Sequence, residues 1–398
     1  MRPHNTTFFA LAAALLAMLA VPSAGSAAER KVPFGFFGTV LSQELTNPGQ
    51  VSPETLDQQM ASMARSGVES ARYSMTWADT EIAPGAYNWE RPDRIVAAAA
   101  RHRIALLLNV LLTPTWASSR PEAEKPYIYP PENPADFGRF MTQMVRRYGP
   151  KGSFWALNPD LPRVPVRQWQ IWNEQMAPWM WGPRPWAESY TLLLKSAYRA
   201  IHRADRGAKV TAGSLVAYYG LSQWGAMSQL YRAGAKGFFD AIAVHPFTSD
   251  PGSERRTVDN TLLIIERVRA RMRARGQGRV PIAVTELTWP ASAGRIFEDK
   301  LLGIETTPSG QRQRLKAGYA GLAKERRRLH LSRIYWYTWA SEYDANSPGT
   351  DVTFRFSGLN RFAGGVFEPL PLLSAYARVA AKYEGCRKGP NARACLSG

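Results

Sequence analysis

The 398-residue chain has little of what metal and redox sites are built from: two cysteines and five scattered histidines. A protein-bound metal needs several Cys, His or carboxylate ligands converging at set spacings, so neither a metal nor a cofactor is expected. Acidic residues are also scarce, 32 against 50 basic ones, for a formal net charge of +18. After the amino terminus no apolar run is long enough to cross a bilayer. Internal repeats and low-complexity linkers are lacking too, which argues for one large folded unit.

The one apolar run stands at the start. Arg2 and a polar stretch precede residues 8–21, and small residues follow at Ser26, Ala27 and Ala28. About 14 apolar residues fall short of the roughly 20 that span a bilayer. The pattern is that of an export signal cleaved near Ala28. The expected mature protein is secreted, periplasmic or extracellular, and monomeric. Cys386 and Cys395 lie in the carboxy-terminal tail, residues 386–398. In an oxidising compartment they are expected to form one disulfide, worth about 2–3 kcal/mol by loop entropy.

The excess charge invites a polyanion reading. Its densest runs, 267–279 and 324–333, close helical segments just before apolar strands. There they suit solvated helix ends, where arginine complements the macrodipole. No nucleic-acid motif accompanies them, so no nucleic-acid partner is expected. Electrostatic retention on an anionic cell envelope is the secondary expectation.

Apolar strand patterns and amphipathic helix patterns alternate along the chain. Strands are expected at 32–41, 70–75, 104–111, 166–172, 209–215, 239–244, 280–285 and 333–339. Helices are expected at 53–65, 91–102, 134–148, 185–205, 221–232, 258–275, 308–329 and 370–383. Eight such pairs predict an α/β fold, a (β/α)₈ barrel filling residues 30–385 as a single catalytic domain without a C-terminal β-sandwich. Longer loops at 113–134, 175–185 and 340–368 would wall a cleft at the end of the barrel that carries the chemistry.

Two of these strands end in glutamates. Gln170-Ile171-Trp172-Asn173-Glu174 and Ile282-Ala283-Val284-Thr285-Glu286 each deliver a carboxylate to the same rim. Two carboxylates facing one cleft are what hydrolysis of a glycosidic bond needs, one to protonate the departing oxygen and one to attack the anomeric carbon. Glu174 is the candidate acid/base, with its pKa raised in the apolar company of Trp172, Met176, Trp179 and Trp181. Glu286 is the candidate nucleophile, ionised and facing Arg72 from the end of strand two. Asn173 is placed to donate to a sugar 2-hydroxyl, and His245, ending strand six, to orient a carboxylate or a hydroxyl. Thirteen tryptophans are many. Trp77, Trp116, Trp172, Trp289 and Trp339 fall near strand ends, where flat rings suit sugar faces. Of these, Trp339, Trp77 and Trp116 are the candidate platforms, and core packing is the competing reading for each.

The pattern resembles clan A of the glycoside hydrolases, retaining (β/α)₈ enzymes with acid/base and nucleophile glutamates ending strands four and seven. Trp172-Asn173-Glu174 looks like the acid/base signature and Thr285-Glu286 like the nucleophile segment. The stretch from Arg72 through Trp77, Pro84, Gly85, Tyr87 and Trp89 is similar to the strand-two region of several member families. Arg147-Tyr148-Gly149-Pro150 with Gly152-Ser153-Phe154-Trp155 resembles bacterial proteins near family 39, the β-xylosidase family. The resemblance implies a poly- or oligosaccharide substrate cleaved by double displacement. Clan members often hold the nucleophile with a tyrosine two residues after the strand-six histidine. Phe247 stands there in this chain, leaving Tyr218, Tyr219 or Tyr337 to substitute. The alternatives are an α-L-arabinofuranosidase of the same clan, or a non-catalytic glycan-binding or envelope-associated protein that keeps only the barrel.

Overall fold

Period-two burial in the strands decides the architecture. In the strand Ser70–Thr76, Ala71, Tyr73 and Met75 belong to the large outer core while Ser70 and Arg72 face the opposite way. Both faces are covered, as in a parallel barrel ringed by helices. The computed structural model describes residue 1 and residues 30–217, 220–248, 253–343 and 352–385.

The barrel strands are β1 (Phe37–Val40), β2 (Ser70–Thr76), β3 (Ala105–Leu111), β4 (Gln168–Ile171), β5 (Lys209–Leu215), β6 (Ala241–Val244), β7 (Ile282–Leu287) and β8 (Leu331–Trp336). They are parallel, each pairs with its neighbours in sequence, and β8 closes on β1 through Phe37 opposite Ile334. Between them run α1 (Pro53–Ser66), α2 (Glu90–Arg101), α3 (Pro134–Tyr148), α4 (Trp186–Ala204), α5 (Gln223–Arg232), α6 (Glu254–Arg273), α7 (Pro308–Glu325) and finally α8 (Pro371–Glu384). This is the expected (β/α)₈ barrel. Among the described residues no helix is long and apolar enough to cross a membrane.

Local chemistry explains the boundaries. Ser52, Asn133, Ser222, Ser253 and Thr307 cap α1, α3, α5, α6 and α7 by accepting from a backbone N–H in the first turn. At Gly67, φ of 101° ends α1 in a left-handed turn that disfavours any side chain. Inside the barrel Val40, Leu107 and Tyr335 form a small separate cluster below the site. A Cβ on Gly38 would stand 2.5 Å from the Ser70 carbonyl oxygen, so this inner layer closes only around glycine.

The structure differs from expectation at three places. Strand β1 is shorter than 32–41, and β8 stops at Trp336 rather than 339. The segment after β8, expected as loop, carries a 3₁₀ turn at Val352–Phe356 and a three-stranded sheet of Ala340–Ser341, Asn360–Ala363 and Val366–Pro369. Third, the basic run 267–279 is not wholly solvated. Arg269 is fully buried, its pKa lowered to about 10 first by burial, and it donates to the carbonyls of Leu329, Gly278 and Val280. It thereby ties α6 to the entries of β7 and β8. Cys386 and Cys395, and with them the expected disulfide, lie outside the described residues, as do Tyr218 and Tyr219.

Candidate active site

The site starts from how the chain leaves β4. Trp172 and Glu174 both take left-handed backbone, with φ of 68° and 45°. Such conformations are held only where surroundings determine them. Trp172 is fully buried, its indole nitrogen donates to the Met180 carbonyl at 2.7 Å, and its ring meets Trp181 edge-on at 4.8 Å. Beside it, Gly213 of β5 leaves room for Gln175: a Cβ there would come within 2.3 Å of Gln175 Oε1. The reversal sends Glu174 toward the barrel axis with 17% of its side chain exposed.

Arg72 is the hub. It is 1% exposed and its guanidinium donates from three nitrogens: Nε to Gln170 Oε1 (3.0 Å), Nη1 to Glu286 Oε1 (2.7 Å) and Nη2 to Asn173 Oδ1 (2.7 Å). A planar fork with fixed donors is suited to this, whereas an ammonium would supply only a point charge. Ser214 of β5 also donates to Asn173 Oδ1, at 2.9 Å. With its oxygen held twice, the Asn173 amide has its N–H groups left for a ligand.

His245 follows β6 and is completely buried between the two glutamates. Its Nδ1 lies 2.6 Å from Glu174 Oε1, while its Nε2 lies 3.0 Å from Thr285 Oγ1 and 3.6 Å from Glu286 Oε1. Burial lowers its pKa to about 4, with Glu286 opposing that shift and Arg72 adding to it, so the imidazole is neutral at neutral pH. A neutral ring carries one N–H. If Nδ1 donates to Glu174, Nε2 accepts from the Thr285 hydroxyl; if Glu174 is protonated and donates to Nδ1, the ring proton sits at Nε2 beside Glu286. The imidazole thus couples the protonation of one glutamate to the electrostatics of the other.

Glu286 lies within β7 and is 8% exposed. Burial pushes its carboxyl above the ordinary range; His245 and Arg72 oppose this, and Glu174 adds to it. Glu286 thus faces Arg72 as expected, with burial pushing its carboxyl up and the guanidinium pulling it down. One oxygen from each glutamate and one His245 nitrogen all lie within 4.8 Å of one another. In principle those three atoms could ligate a cation. The Arg72 guanidinium, 2.7 Å from Glu286, already supplies positive charge there.

The structure brings Glu174, Glu286, Asn173, Arg72 and His245 together. It does not bring Trp339 or Trp77 there as platforms. Trp339 is fully buried and its indole donates to Gln59 Oε1 on α1, facing away from the barrel interior. Trp77 is fully buried against Phe140 and Phe137 and donates to Glu81 Oε2. Neither offers a ring face, so both are packing residues, and Trp172 and Trp289 are fully buried as well. Trp116 is half-buried, donates to the Glu81 carbonyl and meets Trp77 edge-on. Of the apolar neighbours expected around Glu174, Trp179 is instead 53% exposed.

Two residues of the site, Gln170 and Ser214, escape a reading of the sequence, and a third, Tyr337, is legible there only as a candidate holder of the nucleophile. Tyr337, partly exposed just past β8, packs on the inner barrel cluster and meets Phe354 edge-on at 5.7 Å. It is the aromatic that β8 presents where Trp339 was expected. Gln170 donates to Ser214 and to the Trp172 carbonyl, both at 3.0 Å, and so locks the floor beneath Asn173. An inward-facing polar residue in an otherwise apolar strand was the available signal for it. Ser214 carried no such mark. Phe247 packs against Phe354 with the rings tilted by 56° and lies 5.9 Å from the His245 ring.

No protein-family model matches the chain, and no curated protein matches it in sequence. Many solved structures share the fold. A family 39 glycoside hydrolase from Bacteroides cellulosilyticus superposes with a TM-score of 0.63 at 17% identity, over 89% of this chain and 64% of its own length. A family 5 mannosidase from Rhizomucor miehei gives 0.58 at 14% identity, over 88% of this chain and 94% of that one. AbfB, a family 51 α-L-arabinofuranosidase from Bifidobacterium longum, gives 0.59 at 13% identity, over 90% and 74%. The chain therefore spans less than two thirds of the family 39 enzyme while nearly matching the extent of the mannosidase. What this chain shares with glycoside hydrolases of families 39, 5 and 51 is a (β/α)₈ barrel, at identities that speak for the fold alone.

Proposed function

We propose that the chain is an exported, retaining glycoside hydrolase that cleaves O-glycosidic bonds in a poly- or oligosaccharide. The observation that carries this is the separation of Glu174 and Glu286, a carboxylate oxygen of each lying within 4.8 Å across His245. Carboxyl groups about 5–5.5 Å apart serve double displacement, whereas inversion needs about 6.5–9.5 Å to seat a water between them. The fold shared with glycoside hydrolases supports the same reading.

In this mechanism Glu286 attacks the anomeric carbon as Glu174 gives its proton to the departing glycosidic oxygen. Arg72 holds Glu286 Oε1 from one side and orients the attack. Asn173, fixed by Arg72 and Ser214, donates to the sugar 2-hydroxyl as charge grows at the ring. Glu174, now ionised, next takes a proton from water, which displaces Glu286 and restores the original configuration. Tyr337 supplies the apolar surface beneath the reacting sugar. A family 51 likeness keeps an arabinofuranoside among the candidate substrates.

The test is a mechanism-based fluorosugar or epoxide probe panel followed by peptide mass spectrometry. Covalent mass on the peptide holding Glu286, with net retention in the products by NMR, is expected. Products of inverted configuration, or label confined to another residue, would overturn the assignment.

A further inference from the structure

A second concavity opens on the same end of the barrel as the glutamates. It lies between the loop leaving β7, the segment after β8 and the first turns of α7 and α8, with a volume of about 410 Å³. That is in the range of small-ligand pockets. Its walls carry Arg295, Arg312 and Arg361, and no carboxylate lines it among the described residues. Among the described residues the acid paired with these arginines is Glu368, 3.8 Å from Arg361 in an exposed pair. Arg295 leans on the Phe356 ring at 5.8 Å, and Arg312 makes no ion pair among the described residues.

Other groups point the same way. The pocket is walled by the amino-terminal turns of two long helices, whose backbone dipoles favour anions. No side chain caps α8 at Leu370, so its first turn has no internal acceptor from that position. Gln311 is 2% exposed and donates to the Phe356 carbonyl through Nε2, which leaves Oε1 to accept from a ligand hydroxyl. Tyr343 and Leu370 give the pocket apolar wall. Three guanidinium groups, an amide acceptor and an apolar wall together match a sugar that bears a carboxylate.

We infer that this pocket binds a uronic acid residue of an acidic polysaccharide, which rests on the glycosidase reading above and names its substrate class. Arg312 and Arg295 take the carboxylate and Gln311 takes a ring hydroxyl. The net charge of +18 fits the same partner, since a polyanion is drawn toward a basic molecule before it is seated.

The test uses the full-length protein and two probes, a hyaluronan hexasaccharide and an oligogalacturonate, each beside its carboxyl-reduced counterpart. Isothermal titration should show at least one acid form binding about tenfold or more tightly than its reduced form, as expected for charge-assisted hydrogen bonds to arginine. Arg312→Gln with Arg295→Gln should erase that preference while the unfolding midpoint stays put. Equal affinity for acid and reduced forms of both probes overturns the inference. So does a preference that survives the double substitution, because then charge elsewhere on the surface explains it. The two readings fail separately. Acid-selective, arginine-dependent binding by a protein that turns over no glycan leaves the pocket standing and removes the glycosidase. Turnover of neutral glycans, with no acid preference, does the reverse.

Discussion

Replacing Arg72 by methionine removes a buried positive charge and keeps most of its volume. In the structure that charge holds Glu286 Oε1 at 2.7 Å and is itself 1% exposed, so water does not take its place when it goes. Losing one partner of a buried ion pair costs about 3–5 kcal/mol, chiefly because the other charge is left uncompensated. The hydrogen bonds to Gln170 and Asn173 go with it, but all three contacts share one group and do not add. The effect on catalysis has a sign as well as a size. Burial already pushes the Glu286 carboxyl up, and Arg72 is one of the two groups holding it down. Without Arg72 the carboxyl rises further, so at a given acidic pH less of the nucleophile is ionised. The acid limb of kcat/KM must therefore move to higher pH, and part of the lost rate must return as pH is raised. Loss of one preorganised charge partner lowers the rate by about 10²–10³-fold near neutrality. The assay is kcat/KM across pH on an aryl glycoside, with urea unfolding of the same preparation and Arg72→Lys as the intermediate case. An Arg72→Met enzyme with an unmoved acid limb and a stability within about 0.5 kcal/mol of the parent would refute the reasoning.

Other outcomes follow from the same geometry. Glu174→Ala should lower turnover of natural glycosides by about 10²–10⁴-fold yet spare substrates whose leaving group needs no proton, read as a ratio of rates on the two classes. Trp339→Ala should cost about 3–5 kcal/mol of stability with KM unaltered in the folded fraction, and Tyr337→Ala should raise KM with little loss of stability; the opposite pattern would return Trp339 to the cleft. Gly213→Ala sets a methyl within 2.3 Å of Gln175 Oε1 and should cost about 1–3 kcal/mol in denaturant unfolding while displacing Glu174. Prolonged chelation should leave the rate unchanged. A loss restored by a divalent ion would mean that Glu174, His245 and Glu286 serve as ligands.

The barrel was legible because each strand and each helix carries its own period and its own punctuation. Ser52 with Pro53, Gly67, Ser222 and Thr307 mark boundaries by local chemistry that needs no tertiary context. The two glutamates were legible for a related reason: each follows a β-branched or aromatic run and so must emerge at the same rim. The aromatic platforms were not. From Tyr335 to Trp339 four of five residues are aromatic, so composition hides where β8 stops, and the stopping point decides which ring faces the axis. Trp77 failed differently, because the short helix Trp77–Thr80 turns it back onto α3 once β2 ends. Ser214 acts through Asn173 and Gln170, contacts between strands that no single run can display. The surface reading of the arginine runs missed Arg269, because burial of a guanidinium depends on which carbonyls surround it.

The left-handed turn at Glu174 carries a consequence for how this protein can change. Such a backbone costs an ordinary residue roughly 1–2 kcal/mol that glycine or asparagine would largely escape. Populations selected for heat tolerance alone should therefore drift to glycine or asparagine at 174 and lose the proposed turnover while melting later. Glutamate would persist there only under a demand for turnover, so the identity of this one position in a heat-selected library separates selection for durability from selection for work.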